Sequence, residues 1–292
     1  MKQGTKALGV LLVGAGILGF SGIFVRWSAP ASPVMVGFYR MVFALPWVLL
    51  LTWRDPEPVK SSAAQGIPWA VLAGLAFTGD LTLWHLSMHW TSVAAATLLV
   101  GLAPLWVALF MAIFLGARLR GRAWTGLALA LIGTALLALA KGAKLSGNFG
   151  EAMALLSSFC YAAYTLALAR ARRHLSAISA LFWIVLSSLA FFAILAILRG
   201  DTFHGFPTKS WCSLIGLGFL VQALGWWLIS WGMGRVPTHV GAVGLVMQSV
   251  TTVILGWILL HEHLLPIQGL GTLLILFGIA LCSLAPALPK RT

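Results

Sequence analysis

The sequence predicts an all-α integral membrane protein: ten transmembrane helices arranged as two five-helix repeats of inverted topology. Three observations carry that prediction. The composition is too apolar for water, ten apolar stretches have bilayer length, and one motif recurs at a fixed offset. Of 292 residues, 60% are hydrophobic and 9% charged, and the mean hydropathy is +0.98. Soluble domains carry about 25% charged residues, and even a domain of about 300 residues buries only about 75% of its chain's surface. The 31 glycines and 14 tryptophans suit helices packed closely in lipid with aromatic rings at the interfaces.

A spanning helix needs about 20 mostly apolar residues. Such stretches occur at 7–25, 33–52, 68–88, 92–115, 123–140, 150–169, 177–198, 211–231, 239–260 and 266–285. The first has Lys2 and Lys6 ahead of it, as a signal peptide would, but nine further spans make it an uncleaved helix. The connections are short and polar, such as Arg54-Asp55-Pro56-Glu57-Pro58 and Arg170-Ala171-Arg172-Arg173. With the N-terminus inside, 13 of the 19 basic residues fall on the inner side, five on the outer side (Arg26, Lys141, Lys144, Arg199 and Lys209), and Arg40 lies within a span. That asymmetry predicts cytoplasmic N- and C-termini in a cell inner membrane. Because the apolar spans divide the positive charge into short clusters, the formal charge of +13 calls for no nucleic-acid partner.

The fifth span contains Gly126-Leu-Ala-Leu-Ala-Leu-Ile-Gly133 and the tenth Gly271-Thr-Leu-Leu-Ile-Leu-Phe-Gly278, 145 residues apart. The same offset aligns Leu115-Gly116-Ala117-Arg118-Leu119 with Leu260-His261-Glu262-His263-Leu264. The chain therefore divides at 1–145 and 146–292. Five spans is an odd number, so the second half must begin on the opposite side of the membrane. Inverted repeats of this kind place a transporter's substrate site near the midplane between the halves. With both halves on one chain, a monomer is complete.

Ionisable groups inside a span cost about 2.5–3.5 kcal/mol on insertion scales and mark function. Arg40 stands seven residues in from Pro33, and Asp80 eight in from Met88. At about 1.5 Å per residue both lie roughly 10–12 Å deep. They can form an ion pair fixing spans two and three, or Arg40 can bind a substrate carboxylate, or Asp80 can couple transport to an ion. Trp84 shares a helix face with Asp80, and His85, one position round, is a candidate protonation or hydrogen-bonding group. Tyr161 and Tyr164, Gln222, Trp226 and Trp227, and Gln248 combine aromatic surface with polar tips, as the wall of a site for a small amphipathic solute does. Phe20 and Tyr39 are candidates of the same kind.

Other motifs carry no chemistry. Gly14-Ala-Gly16-Ile-Leu-Gly19 matches GxGxxG but lies in an unbroken apolar span, where small residues serve close packing rather than dinucleotides. His261 and His263 point to different sides of a helix, so no zinc site is expected. Cys160, Cys212 and Cys282 are odd in number and far apart, which supports neither disulfides nor metal. No cofactor is predicted, and without paired carboxylates or a nucleophile with its base, neither is an enzyme.

Arg40 early in span two, Pro104 in span four, and the Leu-Gly-x-Arg-Leu and Leu-His-Glu-His-Leu turns before spans five and ten give the chain its resemblance. It resembles the EamA-type exporters of the drug/metabolite transporter superfamily, over nearly its whole length. Its aromatics are placed most like those of an aromatic amino-acid exporter in that family. Two positions depart from the family pattern: Ala117 stands where glutamate is usual, and Ser249 where Pro104 predicts proline. The resemblance implies export or facilitated passage of amino acids and related small metabolites by alternating access. A rival reading is proton-coupled antiport of organic cations. In the small multidrug members that chemistry uses a glutamate in the first span, whereas residues 7–25 hold no acid, so it would fall on Asp80.

Overall fold

The computed structural model describes residues 2–53, 62–87, 90–91, 93–114, 116–117, 119–140, 142–145, 147–260 and 265–284. The Arg54–Pro58 connection, the His261-Glu262-His263 turn, Leu115, Arg118, Lys141 and the C-terminal Lys290 and Arg291 lie outside them. The described residues form helices α1 (Lys2–Leu18), α2 (Ser21–Trp27), α3 (Pro33–Trp53), α4 (Ala63–Ser87), α5 (Val93–Val100), α6 (Ala103–Phe114), α7 (Gly121–Ala140), α8 (Phe149–Ala171) and α9 (Ala177–Arg199). Then come α10 (Thr208–Gly216), a π-helical stretch (Leu217–Gly225), α11 (Trp226–Met233), α12 (Thr238–Gly244), α13 (Met247–Leu260) and α14 (Pro266–Ser283).

Among the described residues nine helical runs are long and apolar enough to cross a membrane, where ten were expected; the fourth span is present as the shorter apolar helix Leu98–Phe114. The fourth span is also interrupted. Pro104 has no N–H, and its ring excludes the carbonyl four residues back, so the helix breaks at Gly101-Leu102 between α5 and α6. The ninth span breaks at Leu245-Val246 without a proline. There the backbone tightens into i→i+3 bonds, from Val246 N–H to Val243 O (3.1 Å) and from Gln248 N–H to Leu245 O (3.2 Å). The two breaks stand at corresponding positions, because helix boundaries recur at the 145-residue offset along the chain: α3 with α9, α6 with α13, α7 with α14.

Close packing runs on glycine. α7 and α14 lie antiparallel, with Gly126 against Gly278 and Gly133 against Gly271; a Cβ on Gly126 would stand 2.6 Å from the Gly278 carbonyl oxygen, and one on Gly133 2.5 Å from that of Gly271. The offset maps one contact onto the other, so the seam is two-fold symmetric. Gly14, first of the GxGxxG glycines, meets the backbone of Gly225, and Gly19 meets Thr251, so these glycines pack helices. Gly74 of α4 lies on α9, where its carbonyl accepts from the Ser188 hydroxyl at 2.9 Å. Since lipid is as apolar as leucine, such backbone approaches and buried hydrogen bonds hold the bundle together.

Candidate functional site

A cavity of about 660 Å³ occupies the middle of the bundle, walled by α2, α3, α4, α7, α8 and α11 and by the two broken spans. It reaches the end of the bundle where α7 finishes at Ala140 and α14 starts after Leu265. Ala103 and Val107 of α6, Ala162 of α8 and Ala242 of α12 pack together as a buried apolar cluster, of which Ala103 and Ala242 also line the cavity. Both helix breaks face the cavity, through Val100 and Gly101 on one side and Leu245 and Val246 on the other.

Two stripes build its polar wall. On α4, Phe77, Asp80, Leu81 and Trp84 follow the i, i+3, i+4, i+7 spacing of one helix face and all line the cavity. On α8, Ser157 faces Asp80 while Tyr161 and Thr165, four and eight residues on, line the cavity. Arg40 enters from α3, Trp226 from α11 and Gln248 from α13.

Arg40 and Asp80 are both buried and line the same cavity, yet no ion pair joins them, so of the three readings given for these two charges the bridge between the second and third spans is not the one the structure forms. Arg199 and Asp201 do form one, at 3.3 Å. Each buried charge has a neutral partner instead. The Arg40 Nε–H donates to Gln222 Oε1 at 2.8 Å, and its guanidinium lies 5.4 Å from the centre of the Phe77 ring. Asp80 Oδ1 accepts from the Ser157 hydroxyl at 2.6 Å. Gln222 sits in the π-helical stretch, a winding that recurs at functional sites because it re-aims side chains within a helix.

Three further donors belong to the wall. Trp84 Nε1, Tyr161 Oη and Trp226 Nε1 are buried without a hydrogen-bond partner. Their residues line the cavity, but these donor atoms are themselves covered by protein.

Of the residues singled out in the sequence, the cavity thus brings together Arg40, Asp80, Trp84, Tyr161, Trp226 and Gln248. Six others are outside its wall. His85 is buried against Trp84, with ring centres 4.9 Å apart, on the neighbouring face of α4. Tyr164 is buried 4.9 Å from Trp226 and 5.2 Å from Phe77, behind the lining. Gln222 acts through Arg40. Trp227 packs on the core, and Phe20 stacks on Phe24. Tyr39 belongs to an aromatic cluster at the bundle end, 4.9 Å from Trp211, and its hydroxyl donates to Phe203 O at 2.5 Å. Sequence reasoning missed Phe77 and Ser157. The signal was available for both: each lies one turn before a residue already chosen, Asp80 and Tyr161.

The EamA-like transporter family matches the chain twice, over residues 5–139 and 148–284. The chain belongs to this family. The EamA-like protein is similar to an uncharacterised transporter of Archaeoglobus fulgidus, 27% identical over 281 residues that cover 96% of both chains. It is also similar to an uncharacterised transporter of Synechocystis, 25% identical over 265 residues that cover 86% of this chain and 79% of the other. A crystal structure covering 96% of the EamA-like chain and 98% of its own superposes with a TM-score of 0.82 at 18% identity, a likeness of fold. The protein is therefore a multi-pass membrane transporter of the drug/metabolite superfamily.

Proposed function

We propose that this transporter exports, or facilitates the passage of, amino acids and related small metabolites across the cell inner membrane by alternating access between two inverted five-helix halves. The observation that carries the reading is the cavity among the helices, in which Arg40 and Asp80 form no ion pair with each other among aromatic and aliphatic walls. A guanidinium suits a carboxylate because its planar fork of donors matches the two oxygens. The apolar walls suit an aliphatic or aromatic side chain, as in the family's aromatic amino-acid exporter. The family's two matches, the helix boundaries recurring at 145 residues and the two-fold seam of α7 and α14 support the division into halves. The two breaks facing the cavity are natural hinges, since interrupted helices line transporter sites. Short loops richer in Arg and Lys on one side support cytoplasmic termini. One chain supplies both halves of the site, so the working unit is a monomer.

The test is uptake of labelled amino acids into proteoliposomes of the purified protein, with and without an imposed pH gradient. Saturable uptake of at least one amino acid is expected. Tight, correctly loaded vesicles that take up none, while passing organic cations, would replace this reading with cation antiport.

A further inference from the structure

The hydroxyl-bearing residues that line the cavity fall into two groups. Thr134, Thr165 and Thr252 each return the hydroxyl to the carbonyl four residues back, on Ala130, Tyr161 and Gln248, at 2.9, 2.9 and 2.8 Å. Back-bonding of this kind satisfies the donor within its own helix. Ser21 and Ser249 line the same cavity, half-buried, and neither hydroxyl has a protein partner among the described residues. The same holds for the side-chain amide of Gln248, next to Ser249. All three groups stand at interruptions of spanning helices. Ser21 opens α2 after α1 has ended at Leu18, and Gln248 and Ser249 follow the Leu245-Val246 break. The two interrupted spans touch here: the Thr252 hydroxyl also reaches Gly19 O at 3.4 Å, and a Cβ on Gly19 would stand 2.7 Å from the Thr251 Cβ.

The break in the ninth span does not need the serine side chain. Ser249 stands 145 residues after Pro104. Where the proline ring interrupts the fourth span, the ninth keeps its backbone bonds, and the Ser249 N–H donates to Val246 O at 2.9 Å. The Ser249 hydroxyl is left for the cavity. A polar side chain at membrane depth that bonds no neighbour is costly unless water or a solute pairs with it. Together the three side chains offer two hydroxyls, each both donor and acceptor, and one carboxamide with two donors and an acceptor. None is charged, and Arg40 and Asp80 enter the cavity from other helices, α3 and α4.

We infer that Ser21, Gln248 and Ser249 form a second, neutral subsite that binds an uncharged hydroxyl or carboxamide group of the solute. Such a group both donates and accepts, as the three side chains do. An ionised group would arrive there without a counter-charge among them, which is expensive away from water. An apolar tip would leave the three groups unpaired, the way hydrogen-bonding sites reject analogues that lack the polar atom. The preferred solutes are amino acids whose side chains end in a hydroxyl or an amide. Their amino-acid head rests on the transport reading proposed above, whereas the subsite does not.

Calorimetric titration of the purified, detergent-solubilised chain with matched pairs is the test. L-Tyrosine is set against L-phenylalanine, L-glutamine against L-norleucine, and tyramine against phenethylamine. The polar member of at least one pair should bind about tenfold more tightly. Ser249→Ala, which keeps the backbone bond to Val246 O, and Gln248→Leu should each lower that ratio about threefold. A merely structural defect weakens both members of a pair alike and leaves the ratio unchanged. The ratios in the unaltered chain stand on their own should a variant not fold. Equal affinities within every pair that binds, an unchanged ratio in both variants, or no binding by any of these compounds would each overturn the subsite. Discrimination by the amine pair alone, with no amino acid bound, removes the amino-acid head and keeps the subsite. Amino-acid binding without discrimination removes the subsite and keeps the transport reading.

Discussion

α4 and the run from α10 to α11 occupy corresponding places, 63–87 and 208–233, at the 145-residue offset, yet they are built differently. α4 stays α-helical for 25 residues and sets Phe77, Asp80, Leu81 and Trp84 on the cavity. Its counterpart passes through nine residues of π-helix, turns Gln222 onto Arg40 and brings Trp226 to the wall. Where α4 has Asp80, the counterpart has Gly225, whose bare backbone lets Gly14 of α1 approach closely. Likewise Val185 stands at the offset position of Arg40. At this offset the helix boundaries recur, but the charges of Arg40 and Asp80 do not, and it is those residues that give the cavity wall its polarity.

Removing what only one half carries should have the largest effect. Arg40→Ala takes away the cavity's fixed cation, and losses at buried charges of this kind run to about 2–5 kcal/mol. Flux should fall at least about thirtyfold in protein that still elutes as a folded species. Normal flux would exclude carboxylate recognition by Arg40. Breaking a close backbone contact acts on stability instead. Gly14→Leu puts a Cβ 2.7 Å from the Gly225 carbonyl oxygen, an overpacking worth about 1–3 kcal/mol, so the melting temperature in detergent should drop by several degrees. On the same helix Gly9 has nothing within 4 Å of an added Cβ, and Gly9→Leu should leave the melting temperature in place.

A subtler substitution tests the π-helical side. Gln222→Leu leaves Arg40 in the cavity but frees its Nε–H, a bond to a charged group worth about 1.5–3 kcal/mol. KM should rise about tenfold with little change in the maximal rate, because Gln222 positions the guanidinium and does not touch the solute. Equal losses in both constants would argue for a structural role. The smallest change is expected at the bundle end. Tyr39→Phe deletes one hydrogen bond to Phe203 O, about 0.5–1.5 kcal/mol, and should lower the melting temperature slightly without altering uptake.

Much of the fold was legible in hydropathy and punctuation. The apolar runs 33–52, 177–198 and 266–285 reappear as α3, α9 and α14 within two residues at each end. Pro33 opens α3, and Gly200 closes α9 in the left-handed region at φ 66°, where a side chain would be strained. The stripe of Phe77, Asp80 and Trp84 was likewise readable from helical spacing. The choice among aromatics was not. Tyr39, Tyr164 and Trp227 are as plausible in sequence as Tyr161 and Trp226. Lipid, core and cavity wall all accept an aromatic ring, so hydropathy does not separate them.

The sequence by itself determined that the chain resides in a membrane, where α3, α9 and α14 begin and end, and that a motif recurs at 145 residues. These follow from the length and apolarity that a bilayer demands of each segment separately. The tertiary structure decided that Arg40 turns to Gln222 and Asp80 to Ser157 rather than to each other, and that residues 217–225 wind as a π-helix. Each of those outcomes is a competition between partners on different helices. Charge and spacing along one chain named the competitors, and only the packed bundle, by fixing which side chains come within hydrogen-bonding distance, selected among them.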